Sequence, residues 1–248
     1  MSRYVVATFI VYDELDRCPY LVGNVARLPL RVPARPLTPA EVDGALEAGD
    51  RRQGVFLYRP MCPACRACEA IRLPVLDFRP SATHRRILRR GDAVFRLEVG
   101  TPTADLARAS LYMRHKWGRG LTTDDDTDDT PDVDTYAAFL VETCCPSLEF
   151  TLWHGDRLVA VAVADRGVDA LSAVYCCFDP DYASYSPGTY VILKQWQYCL
   201  TERMSHLYLG LYVERSRHLA YKALFLPHER RIDGTWQRFE KASPPPGR

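Results

Sequence analysis

No stretch of the 248-residue chain approaches the ~20 consecutive apolar residues that a membrane-spanning helix requires. The opening MSRYVVATFIVYDELD has a short β-branched run without a small-residue cleavage site, so it reads as a strand and not as a signal peptide. Internal repeats are lacking, and lysine is scarce, with arginine supplying 28 of the 32 basic residues. Net charge is nearly absent too, at +1. A secreted, membrane-spanning or fibrous protein is thereby excluded, and a cytoplasmic one is expected. What is there is ordinary globular material: 47% hydrophobic and 25% charged residues, enough to pack one large domain or two small ones.

The small net charge hides an asymmetry. Residues 1–120 hold 20 basic against 12 acidic side chains, net +8, while residues 121–248 hold 12 against 19, net −7. A basic half suits a polyanionic partner, of which nucleic acid is the commonest; biased arginine usage alone would look the same. Nine cysteines in a chain without a leader fit a reducing compartment, where metal ligation or burial is favoured over disulfides.

Local pattern predicts short strands and loops up to about residue 75. Residues 3–11 are strand-like, and Thr38-Pro39-Ala40-Glu41 is a capping box that opens a helix through Glu47. A Gly-Asp-Arg-Arg-Gln-Gly turn (49–54), strands at 55–58 and 71–76, and a basic helix from His84 to Arg90 follow. A helix at 103–117 places Leu106, Ser110, Met113 and Trp117 on one face, and residues 124–134, with seven aspartates, form a solvated loop. Strands at 148–153, 158–165 and 170–178 are separated by His-Gly-Asp-Arg and Arg-Gly-Val-Asp hairpin turns. A helix at 189–202, a strand at 206–213 and a short helix at 216–223 complete an α+β pattern, and residues 241–248 read as a disordered tail.

Cys62-x-x-Cys65-x-x-Cys68 is the sharpest chemical signal. Three thiols so spaced can turn inward around one ion: C-x2-C-x2-C is an iron–sulfur spacing, whereas zinc sites more often pair two separated knuckles. Either needs a fourth ligand, for which Cys18 is the candidate. A [4Fe–4S] cluster is favoured, zinc is the alternative, and merely buried thiols are the plain reading. Cys176 and Cys177, neighbours on a strand, face opposite sides and read as core. Arg51, Arg52 and Arg59 flank the cysteines, and Arg85, Arg86, Arg89 and Arg90 line the next helix; their guanidinium groups suit phosphate or carboxylate, or are simply solvated. Arg114-His115 ends the helix at 103–117, where a histidine more often caps than catalyses. In ALSAVYCCFDPDYASYSPGTYVILK, a strand bearing Ser172 and Tyr175 runs through Asp179-Pro180 to Gly188 at a helix start. Backbone N–H groups at such a junction suit an anion or a developing oxyanion; a plain Asp-Pro turn is the alternative.

Taken in order, these pieces resemble the arginyltransferase/leucyltransferase family of aminoacyl-tRNA–protein transferases. The match runs from Cys18-Pro-Tyr-Leu through GDRRQGVFLYRPMCPACRACEAIRLPVLDF, RRILRR and Arg114-His115 to ALSAVYCCFDPD, GTYVILKQ, LYLGLYV and AYKALFLPHE, nearly the whole chain. The bacterial branch is the most similar; its typical members transfer leucine to N-terminal Asp or Glu, and eukaryotic relatives transfer arginine. The resemblance implies an N-terminal Cys-rich cluster- or metal-binding domain over 1–100 and a GNAT-like acyltransferase domain over 101–240, with a mixed, mostly antiparallel sheet. It implies an aminoacyl-tRNA donor, no CoA, an acceptor protein with an acidic N-terminus, and marking of that protein for degradation. Cys18, Cys62, Cys65 and Cys68 fall where relatives carry an iron–sulfur cluster or metal.

On this basis Arg51 and Arg52 face the acceptor carboxylate or tRNA phosphate, and Gly188 with Tyr175 or Tyr190 the oxyanion. Asp179 relays the amine proton, Lys222 steadies the terminal adenosine or its phosphate, and the helix at 84–90 holds the acceptor stem. Arg59, Arg114 and His115 complete the substrate-binding set. The chain departs from the family pattern at Gln53, Cys176-Cys177 and Tyr185-Ser186-Pro187, and in its acidic loop. A paralogue with a non-standard peptide acceptor and a non-catalytic tRNA-binding metalloprotein are therefore the alternatives. A CoA-dependent acetyltransferase is disfavoured, because the segment before Gly188 lacks the Arg/Gln-x-x-Gly-x-Gly/Ala spacing that cradles pyrophosphate.

Overall fold

The computed structural model describes residues 6–120, 130–216 and 218–241. In chain order the elements are β1 (Thr8–Tyr12), β2 (Leu15–Arg17), β3 (Val25–Arg27), β4 (Leu30–Pro33), α1 (Pro39–Glu47), β5 (Arg51–Gln53), β6 (Phe56–Tyr58) and β7 (Glu69–Pro74). They continue with α2 (Ala82–Asp92), β8 (Arg96–Gly100), α3 (Leu106–Arg119), α4 (Val133–Tyr136), β9 (Ser147–His154), β10 (Arg157–Arg166) and β11 (Ala170–Phe178). The last are α5 (Pro187–Thr201), β12 (His206–Tyr212), β13 (His228–Ile232) and β14 (Thr235–Phe239), with short 3-10 turns at Pro180–Tyr185 and Ala220–Leu224. The α1 capping box forms as read, Thr38 accepting from the Glu41 N–H and Glu41 from the Thr38 N–H.

An eight-stranded sheet in the order β14-β13-β7-β12-β11-β10-β9-β8 forms the centre, and a four-stranded sheet β1-β4-β6-β5 lies beside it. Its neighbouring strands run antiparallel except β11 and β12. The two hairpin signals fold as β9–β10 and β10–β11. Strand β10 alternates cleanly: Ala160, Ala162 and Ala164 face α2 and α5, while Val161 and Val163 face α3 and α4. Cys176 and Cys177 likewise divide between the two faces.

Four sequence expectations need correction. The sheet does not begin after residue 100: β7 and β8 come from the first hundred residues, so a cut there passes through the sheet. Helix α3 buries Ala109, Leu111 and His115, whereas Leu106 and Trp117 of the expected face are 63% and 42% exposed. The reason is that aromatic partners Tyr136 and Tyr175 lie on the side carrying Tyr112 and His115. Arg51 and Arg52 belong to strand β5 and not to a turn. The β13–β14 hairpin turns on Asp233-Gly234, both at positive φ, a two-residue signal that sequence reasoning missed, and the expected helix at 216–223 is one 3-10 turn. Most of the acidic loop and residues 242–248 lie outside the described residues.

Candidate active site

Strands β11 and β12 pair only through Ala170–His206, Leu171–Leu207 and Ser172–Tyr208, although both run on for several residues. They part there, and the fork opens into a cavity of about 590 Å³. Tyr175, Cys176 and Phe178 of β11, Leu209 of β12, and Gly188, Thr189, Ile192 and Gln195 of α5 form its walls. His115 and Arg119 of α3 line it from one side, and His218, Tyr221 and Lys222 from another.

Two basic side chains meet at the apex. Arg51 donates to Ser172 Oγ and to the Ala173 carbonyl, each at 2.8 Å, while Lys222 donates to the Leu211 carbonyl at 2.9 Å. Each parted strand is thus met by a basic side chain. Gly210 makes the approach possible. Its φ is +89°, the ladder with β7 is irregular there, and a Cβ would stand 2.9 Å from Arg51 Nη2 and 3.4 Å from Lys222 Nζ. Burial, reinforced by Arg51, pushes Lys222 down to about 7, so near neutrality much of it is an uncharged amine.

The polar groups around the cavity are tuned by burial. His115 is pushed down to about 4 and is neutral at pH 7; its Nδ1 lies 3.2 Å from both the amide nitrogen and the carbonyl oxygen of Phe178. Burial raises Tyr175, which keeps its proton and can donate. At the start of α5, Ser186 adopts a left-handed conformation (φ +55°) that turns the chain from the 3-10 turn into the helix. A Cβ at Gly188 would meet only Phe178 Cε1 at 3.9 Å, so the bare glycine leaves the helix N-terminus and its unpaired N–H groups open to the cavity. Gln195 is 1% exposed and its Oε1 has no partner.

Of the residues singled out in the sequence, Tyr175, Gly188, His115 and Lys222 line this cavity, and Arg51 lies behind it against Ser172, Ala173 and Gly210. Others do not. Asp179 is fully buried between Arg114 and Arg157, each at 2.5 Å, and already accepts from the Asp181 N–H, so its carboxylate is not free to relay a proton. Tyr190 donates its hydroxyl to Asp92 at 2.8 Å, away from the cavity. Arg52 leaves β5 on the opposite side from Arg51, as strand alternation demands, and forms a buried ion pair with Asp165 at 2.7 Å. Arg85, Arg86, Arg89 and Arg90 are exposed on α2, Arg90 stacking over Tyr185 and donating to the Ser184 carbonyl. Sequence reasoning missed Arg119 and Gln195, whose only signal was spacing along α3 and α5, and His218, which lies in the loop after β12.

A second cavity, of about 470 Å³, collects Cys18, Cys62, Cys65 and Cys68, with Arg59 on its wall. All four thiols are free; burial and then the other three cysteines push Cys68 up to about 12. Four thiols around one cavity are donors that fit a soft metal or cluster. No group of three or more His, Cys, Asp or Glu among the described residues is drawn together at metal-ligand spacing.

Sequence comparison gives the family. The family model described as the N terminus of arginine-tRNA-protein transferase matches residues 16–86, and the one for its C terminus matches residues 107–232. The chain belongs to the arginine-tRNA-protein transferase family. It is an enzyme, an aminoacyltransferase. The aspartate/glutamate leucyltransferase of Acinetobacter baylyi is 35% identical over 225 residues, covering 91% of this chain and 82% of that protein. The protein of the same name from Thiobacillus denitrificans is 36% identical over 229 residues, covering 90% and 91%. Among solved structures, FemX overlaps 80% of this chain and 79% of its own at TM-score 0.42 and 9% identity. L-PGS from Bacillus licheniformis overlaps 69% and 50% at TM-score 0.43 and 12% identity. Both are too distant to add to the assignment. An aminoacyl-tRNA and a protein acceptor follow from membership, and no helix among the described residues is long and apolar enough to cross a membrane.

Proposed function

We propose that this transferase moves leucine from leucyl-tRNA to the α-amine of an N-terminal Asp or Glu on an acceptor protein. The new N-terminal leucine then marks that protein for degradation in the cytoplasm. The observation that carries this reading is the forked cavity with Lys222 at its apex, at the open N-terminus of α5, read with the names of the bacterial relatives. We read the fork as the acyl-transfer cleft of a GNAT-like fold.

Aminolysis of an aminoacyl ester is downhill, so the site has to align, stabilise charge and handle one proton. An α-amine with a pKa of ~7.7–8.0 is partly neutral at cellular pH and needs no strong base. Alignment alone contributes up to about 7–11 kcal/mol. As the nitrogen attacks the ester carbonyl, the developing oxyanion is met by N–H groups of Gly188 and Thr189 and by the Tyr175 hydroxyl, all on the cavity wall. Lys222, largely uncharged near neutrality, takes the amine proton at Nζ and is steadied by the Leu211 carbonyl. The bond to the ribose 3′ oxygen then breaks, and the proton passes to that oxygen. Arg51 and Arg52 take no part in reading the acceptor, since both guanidinium groups are engaged within the fold. Exposed arginines of α2 are placed to contact the acceptor stem through phosphates. Cys18, Cys62, Cys65 and Cys68 would hold an iron–sulfur cluster, or zinc in its place, which when bound clamps the N-terminal strands by soft thiolate ligation.

Anaerobic incubation with a pool of charged tRNAs and a peptide beginning with Asp, read by mass spectrometry, tests the proposal. A mass gain of one leucine is expected. A gain of one arginine would correct the donor, and no gain beside an active control enzyme would overturn the reading.

A further inference from the structure

Resting on that reading, the structure leaves open which group reads the acceptor's acid, and the cavity answers it by elimination and by placement. Its lining includes no Asp or Glu among the described residues, and Arg119 is the guanidinium among them. Arg51 is spent on Ser172 and Ala173, Arg52 on Asp165, and Arg114 on Asp179. Lys222 sits at the buried apex, needed for the proton.

Arg119 is placed differently. It ends α3 at the cavity rim, exposed, with its guanidinium 5.9 Å over the Phe178 ring and Nη2 3.3 Å from His218 Nδ1. Its backbone is held close to the wall: a Cβ on the preceding Gly118 would stand 2.4 Å from Pro180 Cγ, so only glycine lets this turn of α3 lie against the 3-10 turn. Groups deeper in the cavity feel the charge. Burial raises Tyr175, Cys176 and Tyr221, and Arg119 opposes it in all three; on His115, burial and Arg119 act together. A guanidinium that projects its field into a cavity free of carboxylates is built for an anion, and its planar fork matches a carboxylate.

We propose that Arg119, flanked by His218, binds the side-chain carboxylate of the acceptor's first residue and sets the preference for Asp and Glu. The amine of that residue then lies inward, toward Lys222 and the helix N-terminus. A backbone phosphate of the tRNA end is the other anion this group would take, and the same experiment separates the two.

Transfer rates are measured for wild type, Arg119→Gln and Arg119→Lys with peptides beginning with Asp, Glu and Asn, each across a range of charged tRNA. In Arg119→Gln the Asp-to-Asn ratio of kcat/KM is expected to fall on the order of 100-fold with the KM for tRNA unmoved, and Arg119→Lys should retain part of the ratio. An unchanged Asp-to-Asn ratio in Arg119→Gln overturns the assignment. A rise in the KM for tRNA with equal losses on every peptide gives Arg119 to phosphate and also overturns it. Wild-type enzyme that transfers to no acidic peptide overturns the proposed function itself, a result distinct from either. Thermal melting of each variant separates a folding defect, and Arg119→Lys carries the test if Arg119→Gln fails to fold.

Discussion

Lys222→Met probes the most expensive feature of the cavity. The side chain is 9% exposed and its ammonium meets one carbonyl, that of Leu211. Burial first and Arg51 second take it from 10.5 down to about 7, which at 1.36 kcal/mol per pH unit corresponds to a penalty of about 5 kcal/mol for holding the charged form. The sign follows from proton binding. The unfolded chain binds this proton more tightly, so the penalty is complete below pH 7, shrinks as pH rises through 7 to 10.5, and is gone above. Methionine cannot be charged and gives up only the Leu211 bond, about 1 kcal/mol. The variant should therefore be more stable than wild type by roughly 3 kcal/mol at pH 7, with the gap narrowing by about 1 kcal/mol per pH unit and closing near pH 10. Urea unfolding at pH 6.5, 7.5, 8.5 and 9.5 reads it directly. A gap that stays constant with pH, or a wild type that is the more stable at pH 7, refutes the account of Lys222. Single-turnover transfer should fall at least about tenfold in the same variant, because a side chain kept at such a cost is kept for function.

Gly210→Ala should destabilise by about 2–4 kcal/mol, combining a left-handed backbone with displacement of Arg51 from Ser172 and Ala173, and should slow transfer; denaturation and single-turnover assays check it, and a loss under about 1 kcal/mol contradicts the close approach. Asp165→Asn leaves the Arg52 guanidinium buried without a countercharge and should cost about 3–5 kcal/mol in chemical denaturation, while in the surviving folded fraction the Asp-to-Asn peptide preference is kept. Replacing Arg85, Arg86 and Arg89 together with Gln should weaken tRNA binding and lower the slope of log affinity against log salt by roughly 1 to 3, measured by filter binding between 50 and 200 mM salt.

What the sequence disclosed was local. The Thr38–Glu41 box and the two hairpins rest on short-range rules, and each formed as read. Family membership was legible from ordered motifs. The site was only half legible, because its geometry depends on where β11 and β12 part, and no residue pattern marks that point. Arg51 and Arg52 show the limit: adjacent in sequence and identical in chemistry, they leave β5 on opposite faces, one for the fork and one for Asp165. Asp179 shows another. In the sequence it is an acid beside a proline; in the fold it is fully buried between two arginines from α3 and β10. Arg119 went unseen because a basic residue in the last turn of a helix is ordinarily explained by the helix dipole alone.

The fork accounts for why strain and unmet polarity gather at one place. Where two parallel strands separate, the ladder no longer supplies partners, and the protein fills the gap with Arg51 and Lys222 instead of apolar side chains. That choice forces a left-handed glycine at 210, holds a lysine near its neutral form and leaves Gln195 Oε1 without a partner in the same cavity. None of these improves packing, and an apolar plug would be more stable. Their common effect is a pocket whose donors are fixed before substrate arrives, which is what transfer between an ester and an amine requires. The cost in stability and the capacity for transfer are therefore the same feature, and a variant that relieves the first should lose the second.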